Sequence, residues 1–126
     1  MNMNPLQTAT LHVDSDVIRA YAELTQDFNP IHLDPAFAAA TPMGGVIAHG
    51  TMSLCLLWQA LARSFDGAVL PSLELDVRFV KPVRIGEMLT AGGQPQADAP
   101  GVYDVWVRAD DGTDRIVGTL RQEGVA

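Results

Sequence analysis

Polar and apolar positions change period along this chain, and the changes mark its elements. Leu6 to Val13 alternates loosely, as a first strand does. Val17, Ala20, Tyr21 and Leu24 recur at helical spacing, and Asp14 or Ser15 stands where a capping residue belongs, so the pattern predicts a helix to about Thr25. Asp34-Pro35, a cap followed by proline at the first helical position, opens a short Ala-rich helix through Ala40. Thr41-Pro42-Met43-Gly44-Gly45 then breaks the chain. From Gly50 to about Ser64 the helical pattern is apolar nearly all round, through Met52, Leu54, Cys55, Leu56, Leu57, Trp58, Ala60 and Leu61. A helix without a polar face is a buried helix, and something must wrap it.

The C-terminal half supplies the wrapping. Leu73, Leu75, Val77 and Phe79 alternate with Ser72, Glu74, Asp76 and Arg78, a strand with one apolar face. Pro82 and Gly86 punctuate; Glu87 to about Ala97, Val102 to Arg108 and Arg115 to Arg121 read as further strands. Asp110-Asp111-Gly112 between the last two is a hairpin signal. The expected architecture is α+β: a long central buried helix against an antiparallel sheet of about five strands, in one domain spanning residues 1–126.

Composition narrows the class. A length of 126 residues with 48% hydrophobic content suits one domain with a real core. The net charge of −7 argues against nucleic acid as the main partner. It leaves room for one phosphorylated ligand held by a local cluster such as Arg78, Lys81 and Arg84. Cys55 is the only cysteine, so neither an intrachain disulfide nor a cysteine-based metal site is expected, in keeping with a reducing compartment. Met1-Asn2-Met3-Asn4-Pro5 does not read as a signal peptide, and the longest apolar stretch, Leu54 to Trp58, is too short to cross a bilayer. A soluble cytoplasmic protein is the default expectation.

Candidate chemistry concentrates in Asp27-Phe28-Asn29-Pro30-Ile31-His32. A carboxylate and an imidazole stand five positions apart across a proline that ends the preceding helix. Such a corner brings two acid/base groups to the mouth of a pocket, which addition or removal of water requires. The bland reading is a helix C-terminal turn with the histidine donating to a carbonyl. Gly50 heads the buried helix, where backbone N–H groups lack intrahelical acceptors and the dipole is positive.

In these residues the chain resembles the MaoC-like, R-specific enoyl-CoA hydratase family, whose fold is the hot-dog. The resemblance rests on YAELTQDFNPIH (Tyr21 to His32), on GGVIAHGTMS (Gly44 to Ser53), which leads into the central helix, and on VRFVKPVRIGEML (Val77 to Leu89). In pattern it covers most of residues 7 to 122. It implies a hydro-lyase of fatty acid metabolism that interconverts a trans-2-enoyl-CoA and an (R)-3-hydroxyacyl-CoA. Asp27 and His32 would be the dyad that activates water and delivers the proton, and the Gly50 amide the donor to the thioester oxygen. No cofactor or metal is implied beyond the coenzyme A carrier, and the working unit would be a homodimer or a dimer of dimers. The family often has glycine before the Asp, where this chain has Gln26, and a serine that some members place near the acyl group falls near Trp58. An indole there shortens or reshapes an acyl tunnel.

Further assignments follow from that frame. Asn29 would hold the loop or the dyad, Met43 and Trp58 would line the acyl pocket, and Arg78, Lys81 and Arg84 would meet the phosphates of coenzyme A. His49 is read as structural, orienting a loop, His12 as an edge residue, and Cys55 as buried core. No histidine pair has the i, i+4 spacing of a helical metal site. Competing readings are a dehydratase acting on a specialised hydroxyacyl-CoA or an acyl-carrier-protein thioester, and a non-catalytic acyl-CoA-binding subunit of a heteromeric dehydratase.

Overall fold

The computed structural model describes residues 4–122. Met1 to Met3, three of the five residues read as lacking a leader, therefore lie outside the described residues. Strand β1 (Ala9–His12) leads into helix α1 (Ser15–Thr25), and two short helices follow, α2 (Pro30–Leu33) and α3 (Pro35–Ala39). The long helix α4 (Gly50–Ser64) precedes the strands β2 (Leu73–Phe79), β3 (Met88–Pro95), β4 (Val102–Ala109) and β5 (Asp114–Gln122). All five strands form one antiparallel sheet in the order β1-β3-β4-β5-β2. The α+β hot-dog expectation is thus met, with β1 and β2 as the two edges.

The caps form as the sequence requires. Asp14 accepts the Val17 N–H at 2.8 Å, and Asp34 accepts those of Ala36 and Phe37 at 3.1 Å each. Both caps fix where a helix starts, and so fix the lengths of the loops that carry the candidate residues.

Helix α4 packs on the inner face of the sheet. Met52, Leu56, Leu57, Ala60 and Leu61 meet Leu89, Ala91, Val105, Val107, Ile116 and Leu120 in one core. This arrangement buries a stripe of α4 and not its whole circumference. Thr51, Cys55, Trp58 and Gln59 are exposed, so the buried assignment of Cys55 is corrected. A single sheet covers one side of a helix; the apolar residues on the other side face outward in one chain. Strand β2 is likewise open: its alternation is present, yet no residue of it is fully buried.

Candidate active site

The candidate corner begins where α1 ends. Gln26 turns the chain with a left-handed φ of 58°, the only non-glycine residue among those described with a positive φ. Glycine adopts that geometry without strain, which accounts for its frequency there in the family noted above. The chain then doubles back. The Asn29 N–H donates to the Asp27 carboxylate at 3.2 Å, and Asn29 Oδ1 accepts the Ile31 N–H at 3.1 Å. Asn29 thereby caps α2, with Pro30 at its first position. The sequence reading leaves residues 30–33 as loop; the structure makes them a helical turn, because proline at the first position gives up an N–H that has no partner anyway.

Helix α2 presents His32, whose ring is held by a main-chain carbonyl. Nδ1 lies 2.7 Å from the Ile47 oxygen. A carbonyl only accepts, so Nδ1–H donates and Nε2 is left for chemistry. His49, just before α4 and only 2% exposed, makes the complementary choice. Its Nε2–H donates to the main-chain oxygen of Asp27 at 3.0 Å, and its buried Nδ1 has no partner. The two imidazoles stack with centroids 3.9 Å apart and planes 27° apart, and Tyr21 meets His49 edge-on at 5.1 Å. One donor atom each from Asp27, His32 and His49 falls within 4.8 Å of the others. A rule based on helical spacing misses this grouping, because its members come from three segments.

Tyr21 links the corner to α4, since its hydroxyl donates to Thr51 Oγ1 at 2.7 Å and lies 3.9 Å from Cys55 Sγ. Burial pushes the phenol above its ordinary range; the Thr51 hydrogen bond works against this, and the Cys55 thiol and the Asp27 charge add to it. Tyr21 is therefore a neutral donor at the edge of the site.

Gly50 opens α4, and its N–H looks out past the helix end. A cavity of about 310 Å³ lies against it, lined among others by Met43, Ile47, Ser53, Phe79 and Lys81. A Cβ on Gly50 would sit 3.3 Å from the Phe79 ring, tighter than ordinary contact. The Ser53 hydroxyl, buried in the first turn of α4, has no hydrogen-bond partner. A separate apolar groove of about 380 Å³ runs between α1 and α4 past Tyr21, Leu24, Met52 and Cys55.

The other candidate residues divide. Met43 and Lys81 border the Gly50 cavity. Arg84 joins them indirectly, donating from Nη2 to the Met43 carbonyl at 2.6 Å. Arg78 does not come to this cavity. It lines a depression with Asp76, Val117 and Thr119, because alternation along β2 turns it to the sheet face opposite Phe79. Trp58 sits on the open side of α4, 38% exposed and outside both cavities just described. Asn29 acts on the loop as a cap. His12 is an edge residue as expected, 4.0 Å from the Asp14 carboxylate.

Among the lining residues that were not anticipated, one is charged. Arg115 is almost fully buried beside the Gly50 cavity. Its guanidinium is committed to Glu87 at 2.9 and 3.1 Å and to Asp111 at 3.4 Å. The Thr113 hydroxyl and N–H, with Arg115, hold the Asp111 carboxyl down to about 2. Nothing in the spacing of the C-terminal strands sets Arg115 apart from other strand arginines; the signal is only its following of the acidic hairpin.

Comparison with known proteins places this geometry. Residues 1–102 match the profile of the family described as MaoC like domain. The (R)-specific enoyl-CoA hydratase of Aeromonas caviae is 39% identical over 74 residues, 59% of this chain and 55% of the relative. The 3-hydroxybutyryl-CoA dehydratase of Methylorubrum extorquens is 41% identical over 75 residues, 60% of this chain and 47% of the relative. The chain thus spans about half the length of these curated relatives. Among solved structures, the (R)-hydratase from A. caviae superposes with a TM-score of 0.73 at 26% identity, covering 97% of each chain. With a family profile matched over most of its length and a shared fold, this chain belongs to the MaoC-like domain family.

Proposed function

We propose that this chain catalyses the reversible, stereospecific hydration of a trans-2-enoyl-CoA to an (R)-3-hydroxyacyl-CoA. The observation that carries the reading is the grouping of Asp27, His32 and His49, one polar atom of each within 4.8 Å of the others, with Nε2 of His32 free and Gly50 following His49 at the head of α4. Water held between Asp27 and His32 attacks the β-carbon as one of the two takes its proton. A proton passes to the α-carbon, and the charge gathering on the thioester oxygen meets the Gly50 N–H at the positive end of the helix. His32 enters with one nitrogen fixed by Ile47 and the other free, the state that lets a single ring accept and return a proton. Because Asp27 and His32 share protons, the assignment of base and acid belongs to the pair.

The reaction in this reading needs no metal. Asp27, His32 and His49 cluster, and with Nδ1 of His32 and Nε2 of His49 spent on main-chain carbonyls one nitrogen of each ring remains; the metal-free reading therefore rests on the proton chemistry of Asp27 and His32 and is tested with EDTA. The coenzyme A end lies toward Lys81, beside the Gly50 cavity. A homodimer is the working unit: β2 is a free edge, Phe79 and Val80 leave apolar surface beside the cavity, and Trp58 leaves more on the open side of α4, for a second copy to cover. Among the described residues no helix is long and apolar enough to cross a membrane.

The test is a panel of trans-2-enoyl thioesters of increasing chain length, on coenzyme A and on acyl carrier protein, with and without excess EDTA. Loss of enoyl absorbance with coenzyme A substrates, insensitive to EDTA, is the expected result. Turnover confined to the carrier-protein substrates would move the reading to an acyl-carrier-protein dehydratase. EDTA inhibition reversed by a divalent ion would overturn the metal-free mechanism, and no turnover of any member would overturn the hydratase reading itself.

A further inference from the structure

We infer that His49 is a positioning residue for the dyad, acting on both of its members at once. This rests on the hydratase reading of the site and adds a residue to it. The ring makes two contacts of consequence. Nε2–H donates to the main-chain oxygen of Asp27 at 3.0 Å, and the face lies on the His32 ring at 3.9 Å. The first contact ties the turn after α1 to the head of α4; the second sets the plane in which His32 offers Nε2. Since His49 immediately precedes Gly50, one residue fixes the spacing between the water-handling groups and the oxyanion donor.

The remainder of its surroundings argues that packing alone does not explain the ring. His49 is 2% exposed, and its Nδ1 is buried without a partner, which costs stability that an apolar ring of similar size would not. A site selected only to fill space gains nothing from that nitrogen. It gains the Asp27 tether from the other one. Tyr21, edge-on at 5.1 Å, gives the ring a second aromatic neighbour.

Two substitutions separate the two contacts. His49→Gln can place an amide N–H near the position of Nε2 and keep the tether while losing the aromatic face. His49→Phe keeps the face and leaves the Asp27 oxygen unpaired. The expected result with crotonyl-CoA is a fall in kcat of about 10- to 100-fold for His49→Phe with KM changed less than about 3-fold, and a clearly smaller fall for His49→Gln, because misplacement of a reacting group is lost in the chemical step. Unchanged kcat in a folded His49→Phe protein would overturn the inference. So would equal losses in both variants that track a fall in Tm. A measurement on the unmodified protein keeps the claim testable if the variants fold poorly. Long-range ¹H–¹⁵N spectra should find opposite neutral tautomers, Nδ1–H at His32 and Nε2–H at His49; an Nδ1–H tautomer at His49 would break the tether. If the unmodified protein turns over no enoyl thioester, the hydratase reading fails, whereas the tautomers still report whether the tether exists.

Discussion

The corner at the head of α4 and the surface left open along α4 and β2 are built to different degrees of completeness within one chain. At the Asp27–His32 corner, polar groups are paired across segments: His32 to Ile47, His49 to Asp27, Asn29 to Ile31, Tyr21 to Thr51. Farther along the exposed stripe of α4 and on edge strand β2, apolar residues stand uncovered, Trp58 at 38% exposure and Phe79 at 55%. The dyad is therefore braced by local hydrogen bonds, while the flank that would meet the substrate's chain and carrier is left to be completed. In the proposed reading, chemistry and specificity thus have separate structural origins, and perturbations of the two regions should fail differently.

The sharpest perturbation at the boundary is Gly50→Ala. The new methyl stands where a thioester oxygen must approach, 3.3 Å from a Phe79 ring that is exposed enough to yield. We expect kcat to fall by up to about 10²-fold, within the range seen when an oxyanion donor is lost, with Tm nearly unchanged. Adding Phe79→Ala should not restore activity if blocked approach is the cause; restoration would show that the loss comes from displacement of the ring. Smaller effects are expected on the outer flank. Lys81→Ala should raise KM for coenzyme A thioesters by about 2- to 5-fold, the worth of an exposed ionic contact, and the effect should shrink at high salt. Arg78→Ala, on the opposite face of the sheet, should leave KM alone. Equal effects from the two would erase the distinction between cavity and outer face.

The smallest effect belongs to the corner's backbone. Gln26→Gly should stabilise the protein by about 1 kcal/mol, because a left-handed residue with a Cβ is strained, less the extra freedom glycine gives the unfolded chain. Thermal unfolding measures it. Loss of stability would mean that the Gln26 side chain, which donates to the Glu23 carbonyl at 2.7 Å, holds more than its backbone strain costs.

What the sequence made legible follows the same division. The bounds of α4 could be read directly, Gly50 to Ser64, since the apolar run and its glycine head are local signals. The strand pattern was equally local, and the turn at Asp110-Asp111-Gly112 falls where β4 meets β5, with Gly112 at a φ of 83°. Burial was not legible. Cys55 and Trp58 look like core in a run of apolar residues, yet a single sheet covers only a stripe of the helix. The stack of His32 on His49 was invisible for another reason: the rings are brought together by the α2 turn and the head of α4, and no periodicity links them. Arg78 differs again, because its separation from the cavity was readable from the alternation that turns its neighbour Phe79 to the cavity's face of the sheet. Grouping it with Lys81 and Arg84 followed charge and disregarded the face.

The central claim is that Asp27 does chemistry, beyond shaping a turn. Comparing Asp27→Asn with the unmodified protein on crotonyl-CoA tests it most directly, since the amide preserves shape and still offers an oxygen to the Asn29 N–H. The account predicts a loss of about 10²- to 10⁴-fold in kcat with an unchanged fold and (R)-3-hydroxybutyryl-CoA as the unmodified protein's product. An Asp27→Asn protein that hydrates crotonyl-CoA at nearly the unmodified rate would contradict it.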